Sequence, residues 1–217
     1  MTVLVLRPQP EADETARWLR ERGHEAIVSP LLAAAPGDPP PPAGGVGAVA
    51  VTSPRALRAA EALNERPPLF VVGERCAALA QKGGWTVAAT APDARALVAP
   101  LAAHGAAVIH AAPEERAFDL EAALRERGVV CATWTAYRME PLSLVPAARA
   151  ALVAGAAVLL SSPRIAAVFA AEWRLAPPGG APPRLLAISP AAARAVAGLG
   201  DVEVAHAPTL AALLDLV

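Results

Sequence analysis

Three serine–proline junctions and one tyrosine hold most of the chemistry that can be read from this chain of 217 residues. Ser53-Pro54-Arg55, Ser162-Pro163-Arg164 and Ser189-Pro190 each follow a short apolar run and open an Ala-rich stretch. Serine at an N-cap with proline at N1 leaves the N2 and N3 amides as donors, and the positive end of the helix dipole favours an anion beside them. Thr52 adds a hydroxyl to the first junction, and Arg55 and Arg164 add a cation to two of the three. Arg7, ahead of Pro8, and Gly73-Glu74-Arg75 stand at junctions of the same kind. The ligand they suit carries carboxylates or phosphates. Ser-Pro is also ordinary helix-start chemistry, in which the serine does no more than cap its own helix.

Tyr137 is the only tyrosine, in Thr135-Ala136-Tyr137-Arg138, where a strand-like run ends and the pattern lapses. A phenol there can give a proton or a hydrogen bond to a departing group, with Arg138 beside it to favour anions. The same ring can equally pack and wet its hydroxyl. His24, His104, His110 and His206 lack metal-ligand spacing with Cys, Asp or Glu, so no metal site is expected. No GxGxxG, P-loop or GxSxG motif occurs, which leaves nucleotide cofactors without support. Glu114 and Glu115 read as first-turn acids of a helix, and Trp18, Trp85, Trp134 and Trp173 as core or interface residues.

The elements that must position these residues form an α/β alternation. Strands are expected at 4–6, 26–28, 48–51, 69–72, 86–89, 107–110, 129–134, 157–161, 185–188 and 202–205. Helices are expected at 10–22, 54–64, 74–82, 94–103, 115–127, 147–153, 164–173, 190–198 and 209–216. The strands lack period-two alternation, as parallel strands covered on both faces do. Proline and glycine mark loops at 36–45 and 177–183, and the pattern lapses from Tyr137 to Pro146. Within the alternation the chain echoes itself. The Ser53 and Ser162 junctions lie 109 residues apart, Leu19-Arg20-Glu21-Arg22-Gly23 returns as Leu124 to Gly128, and Val71-Val72-Gly73 resembles Ala187-Ile188-Ser189. A duplicated unit of about a hundred residues is the reading, its strand ends converging on one cleft if the repeats face each other.

Composition narrows the partners. A formal charge of −1 without a basic tract argues against nucleic acid, which needs a concentrated cationic footprint. Cys76 and Cys131 are two thiols in apolar surroundings, so a reduced, cytoplasmic protein without a bridge is expected. The first apolar run is too short for a signal peptide, and no apolar stretch approaches the ~20 residues that span a bilayer, so no membrane partner is expected.

Taken in order, these pieces resemble the uroporphyrinogen-III synthase family. The residues that carry the resemblance are Leu6-Arg7-Pro8, Ser29-Pro30-Leu31-Leu32, Val51 to Leu57, Val71-Val72-Gly73-Glu74, Thr135-Ala136-Tyr137-Arg138, Ser161 to Arg164 and Ala187 to Pro190. Each motif is short; their order and spacing over the whole chain are specific. The resemblance implies two flavodoxin-like parallel-sheet domains joined by a two-stranded linker, with a cleft between them: residues 1–35 with 140–217, and residues 36–139. It implies closure of hydroxymethylbilane, with eight carboxylates, to uroporphyrinogen III without a metal or organic cofactor. Tyr137 matches the tyrosine that assists departure of the hydroxyl, and Thr52, Ser53, Gly73, Ser162 and Ser189 match positions that hold substrate carboxylates. Arg7, Arg55, Glu74, Arg75 and Arg164 join that set from their places at the junctions. The chain departs from the family at His110-Ala111-Ala112-Pro113, where relatives carry a glycine-containing turn, and at Cys76 and Ala191, where many carry threonine. A lyase acting as a monomer on a small molecule is the expectation. A non-catalytic relative that binds an anionic tetrapyrrole, and an unrelated flavodoxin-like ligand binder, stay open.

Overall fold

The computed structural model describes residues 1–41, 45–175 and 181–217. In chain order the elements begin with β1 (Thr2–Val5), α1 (Glu11–Glu21), β2 (Glu25–Val28) and β3 (Leu32–Pro36). Next come β4 (Ala48–Val51), α2 (Pro54–Ala60), β5 (Leu69–Val72), α3 (Glu74–Lys82), β6 (Val87–Ala91), α4 (Val98–His104), β7 (Val108–Pro113), α5 (Leu120–Arg125) and β8 (Cys131–Pro141). The last are α6 (Pro146–Val153), β9 (Ala157–Leu160), α7 (Pro163–Leu175), β10 (Arg184–Ala187), α8 (Pro190–Ala195), β11 (Asp201–Val204) and α9 (Leu210–Leu214). Residues 42–44 of the proline-rich stretch at 36–45, and residues 177–180 of the loop read at 177–183, lie outside the described residues.

The chain divides into two compact units, Met1–Ala33 with Glu140–Val217, and Ala34–Met139. Both chain crossings fall inside strands, in β3 and β8, which are neighbours in one sheet. In the first unit the sheet order is β11-β10-β9-β1-β2, with every pair parallel. Numbered along the chain this is the flavodoxin-like order 2-1-3-4-5. The second unit orders β8-β7-β4-β5-β6, again parallel, with β3 on the edge beside β8. That is the same arrangement circularly permuted, β9 answering to β4, β10 to β5, β11 to β6, β1 to β7 and β2 to β8.

The three sequence echoes fall on equivalent positions of the two units. Ser53 and Ser162 follow β4 and β9, and Gly73 and Ser189 follow β5 and β10. The repeated Leu-Arg-Glu-Arg-Gly closes α1 and α5. In each copy the glycine amide bonds back to the first arginine carbonyl (Gly23 to Arg20, Gly128 to Arg125), and the next amide bonds to the leucine carbonyl (His24 to Leu19, Val129 to Leu124), all at 3.0–3.1 Å. The glycines turn left-handed, at φ of 80° and 74°. This is the Schellman close, which needs a residue without the Cβ penalty at that place.

Burial explains the strand sequences. Every residue of β4 is at 0% exposure and every residue of β9 at 0–1%, so unbroken Val, Leu and Ala runs are what strands covered on both faces require. One side of the second unit's sheet packs Val49, Val51 and Val71 against Ala56 and Leu57 of α2 and Cys76 and Ala80 of α3. The other side packs Ala48, Ala50 and Val108 against Leu101 of α4 and Leu120 and Leu124 of α5.

Several boundaries differ from the sequence reading. Strand β3 was not expected, because Leu-Ala-Ala-Ala-Pro carries no β preference of its own. Helix α5 starts at Leu120 rather than 115, because Asp119 supplies the cap by accepting the Ala122 amide at 2.9 Å. Glu114 and Glu115 are therefore not first-turn acids. Helix α4 starts at Val98 rather than 94, since Asp93 accepts the Ala96 amide at 2.8 Å and holds a turn ahead of it. Helix α2 stops at Ala60. Strand β8 runs on through Tyr137 to Pro141, so the tyrosine sits within a strand and not at its end.

Candidate functional site

In parallel sheets the carboxyl ends of the strands, where helices start, are where ligands are received.

In the second unit, β4 delivers Thr52 and Ser53, and Pro54 opens α2. Ser53 is extended, and its Oγ accepts the Ala56 amide at 3.1 Å. The serine thus takes up the N3 amide itself, so that, contrary to the expectation from the sequence, this donor is not left for a ligand. The same oxygen lies 3.2 Å from the phenol oxygen of Tyr137. The approach depends on the sheet, since Tyr137 is carried by β8 while β7 lies between that strand and β4. The β7–β8 register shifts between Ala112 and Pro113, and past that irregularity Pro113 faces Tyr137. The Tyr137 carbonyl then accepts the Glu114 amide at 3.1 Å, and the half-buried ring packs on the core around α2 and α3.

Arg138 does not serve as an anion receptor. Its guanidinium pairs with Asp38 at 2.8 Å and with Glu114 at 3.1 Å. The pairing holds the Asp38 carboxyl below its ordinary pKa and raises that of Arg138. Trp134 adds a bond from its indole nitrogen to the Asp38 carbonyl at 2.9 Å, fixing the same stretch.

Gly73 caps α3 at φ 81° and ψ 142°, a conformation open only to glycine, with its amide on the Ala91 carbonyl at 2.9 Å. Glu74 and Arg75 follow it and are exposed, whereas Cys76 is 1% exposed in the core. The Cys76 side chain is therefore turned into the core of the unit. Burial pushes the Cys76 thiol up to about 11 and, with help from Glu121 and Asp119, the Cys131 thiol up to about 11.

Beside Thr52 lies a cavity of about 400 Å³, wholly within the second unit. Its walls come from the ends of β4, β5 and β7 and from the segments 92–95 and 115–118. His110 of β7 lines it at 2% exposure, and neither ring nitrogen has a hydrogen-bond partner among the described residues. Burial, then the charge of Arg116, lower its pKa to about 4, against weaker opposition from Asp119 and Glu121. Metal-ligand spacing does not single out His110 among the four histidines. The available signal was a polar ring at the carboxyl end of an otherwise apolar strand. Arg95, Arg116 and Phe118 were hidden inside segments read as helix.

In the first unit, Arg7, Ser162 and Ser189 follow the carboxyl ends of the adjacent strands β1, β9 and β10. Ser162 and Ser189 cap their own helices, accepting the Ile165 and Ala192 amides at 3.1 and 3.3 Å. Arg7 donates to Thr15 of α1 at 2.9 Å. Arg55 and Arg164 are half-buried beside their serines. Among the described residues no three His, Cys, Asp or Glu side chains gather as a metal site requires, and no helix is long and apolar enough to cross a membrane.

Comparison with known proteins adds what geometry alone does not. The family model described as uroporphyrinogen-III synthase HemD matches residues 13–215. No curated protein sequence matches. Among solved structures, the uroporphyrinogen-III synthetase of Helicobacter pylori superposes with a TM-score of 0.65 at 17% identity, over 99% of this chain and 96% of that one. A mutant uroporphyrinogen III synthase of Thermus thermophilus gives 0.54 at 17% identity, over 99% and 88%. At that identity the two structures speak for the fold alone.

Proposed function

The chain belongs to the uroporphyrinogen-III synthase family, and from that premise we propose that it closes hydroxymethylbilane to uroporphyrinogen III, inverting ring D and releasing water. It is an enzyme of haem biosynthesis acting on a tetrapyrrole. The reaction makes it a lyase, and its two buried or half-buried thiols fit a reduced, cytoplasmic setting.

The chemistry assigns work to few groups. The C–O bond of the ring A hydroxymethyl breaks with its electron pair on oxygen, and a proton from the Tyr137 phenol completes the departing water. The azafulvene cation left behind is attacked by the substituted carbon of ring D, giving a spiro intermediate. The bond from that carbon to the methylene it shares with ring C then breaks, the freed methylene joins the unsubstituted α carbon of ring D, which leaves the ring inverted, and the proton lost from that carbon as the pyrrole regains aromaticity restores the phenol. Substrate and products balance as one tetrapyrrole to one macrocycle and one water, without an oxidant or reductant. The protein's share is general-acid assistance and the folding of a flexible chain, which are positioning roles.

What carries this reading is the family match over residues 13–215. The Ser53–Tyr137 pair supports the part given to the phenol, and the helix starts after β4, β5, β9 and β10 suit a substrate with eight carboxylates. The test supplies freshly made hydroxymethylbilane, oxidises the products and separates the porphyrin isomers. Type III product is expected; type I alone, the spontaneous product, overturns the reading.

A further inference from the structure

Tyr137 sits where the regular pairing of its strand gives out. On the β7 side the register slips between Ala112 and Pro113, and Glu114 then closes on the Tyr137 carbonyl at 3.1 Å. On the β3 side the segment just past that strand takes over. The Gly37 amide donates to the Ala136 carbonyl at 3.2 Å, and the Asp38 amide to the Thr135 carbonyl at 2.8 Å. A Cβ at Gly37 would fall on the Thr135 carbonyl oxygen, so only glycine lets the segment come this close. Register matters here because a slip of one residue carries every side chain to the opposite face of a strand. Such a slip in β8 would take the phenol away from Ser53.

The next residue spans the same level. Arg138 donates from Nη2 to the Asp38 carboxylate at 2.8 Å and from Nε to the Glu114 carboxylate at 3.1 Å. Asp38 follows β3, Glu114 follows β7, and β8 lies between those two strands. One guanidinium therefore joins the segments on either side of β8, next to Tyr137. The planar fork aims two donors in fixed directions, which an ammonium does not. The Arg138, Asp38 and Glu114 side chains are 35%, 54% and 57% exposed, so the pairs add little to global stability. Their effect is local order.

We propose that Arg138 is a positioning residue for the reaction: by bridging Asp38 and Glu114 across β8 it fixes the register past the slip and so holds the Tyr137 phenol against Ser53, without touching the substrate. The inference rests on the synthase reading for the task of the phenol.

The test uses the full chain and the fact that Tyr137 is its only tyrosine. Labelling tyrosine with 13C at Cζ gives a single phenol signal, whose shift follows the hydrogen bonding of the hydroxyl, and Ser53→Ala marks where that signal goes when the contact is lost. Arg138→Met is expected to move it the same way with the Tm little changed, and Arg138→Lys, which keeps the charge without the fork, to move it less. An unmoved signal in folded Arg138→Met overturns the proposal. In turnover of hydroxymethylbilane, Arg138→Met is expected to lower kcat roughly ten- to a hundredfold with KM little changed, as misplacement of a catalytic group does. It is expected to have no further effect on kcat in a Tyr137→Phe background. A raised KM with kcat unchanged would make Arg138 a substrate contact and overturn the proposal, as would an equal loss of kcat with and without the phenol. If Arg138→Met does not fold, Asp38→Ala, which removes one of the two ties and keeps the backbone bonds, gives the same readings. Failure of the synthase reading looks different: the wild-type chain then yields only type I product, while the 13C signal still reports whether Arg138 holds the phenol.

Discussion

The Ser53 Oγ lies 3.2 Å from the Tyr137 Oη, and the same Oγ already accepts the Ala56 amide at 3.1 Å. A serine hydroxyl has one proton and two lone pairs. If the tyrosine donates to Ser53, the phenol proton is spent inside the protein. If Ser53 donates to Tyr137, the phenol proton is free for a leaving group, and the serine stabilises the phenolate that forms. Only the second arrangement makes Tyr137 a general acid. Either hydroxyl can be the donor, and the α2 cap fixes where the Ser53 Oγ sits.

Tyr137→Phe is expected to lower kcat by roughly 10²-fold or more while leaving the fold intact, within the usual range for general-acid assistance. Single-turnover formation of type III product measures it, and an unchanged rate removes the phenol from the mechanism.

Ser53→Ala is expected to slow turnover less than Tyr137→Phe, and to do nothing further once the phenol is gone. A double-mutant cycle on kcat reads that non-additivity. Because Ser53 also caps α2, the variant should lose about 1 kcal/mol of stability in urea, whereas Ser53→Gly should lose only a few tenths.

Gly73→Ala is expected to destabilise the protein by about 1–3 kcal/mol, through backbone strain alone. A Cβ there meets nothing within 4 Å, so the cost comes from φ near 81° and not from a collision. Urea midpoints compared with an exposed Gly→Ala control would expose an error, since a neutral substitution contradicts the left-handed cap.

His110 is held neutral, with its pKa lowered to about 4 from 6.5. The unfolded chain therefore takes up the proton first as pH falls. Stability is full above about pH 6.5, falls between there and about 4, and levels off below, a span of about 3 kcal/mol from this group. Denaturation profiles of the wild type and His110→Leu should differ in that window; parallel profiles would contradict it.

Both thiols sit near 11, raised by burial. Ellman's reagent at pH 8 should label neither in the folded protein, because the thiolate is the reactive form, and both on unfolding in denaturant. Rapid native labelling of Cys76 would contradict its place in the core.

Much of the site's frame was legible because strand–helix junctions write themselves locally. An apolar run followed by Ser-Pro gives a strand, a cap and a first helical residue, and those hydrogen bonds join residues three apart. The extension of β8 was also written in the sequence, as the alternation of Thr133, Trp134, Thr135 and Ala136, but a partly exposed strand speaks in period two and the core strands here do not. The true start of α4 lies beyond a turn that Asp93 holds by taking the Ala96 amide, and the true start of α5 is set by its own cap, Asp119, four residues past the acid-rich stretch that resembles a first turn.

By itself the sequence determined the α/β alternation, the caps at Ser53, Ser162 and Ser189, and the duplicated pattern, since all of these rest on contacts between near neighbours. It also carried the family resemblance, through order and spacing. Only the tertiary structure decided that β8 lies two strands from β4, so that Tyr137 meets Ser53 across 84 positions of chain. Only it decided that Arg138 is spent on Asp38 and Glu114 and that His110 lines a cavity. Those outcomes depend on strand order and on a register shift at Ala112 and Pro113, which no local propensity encodes.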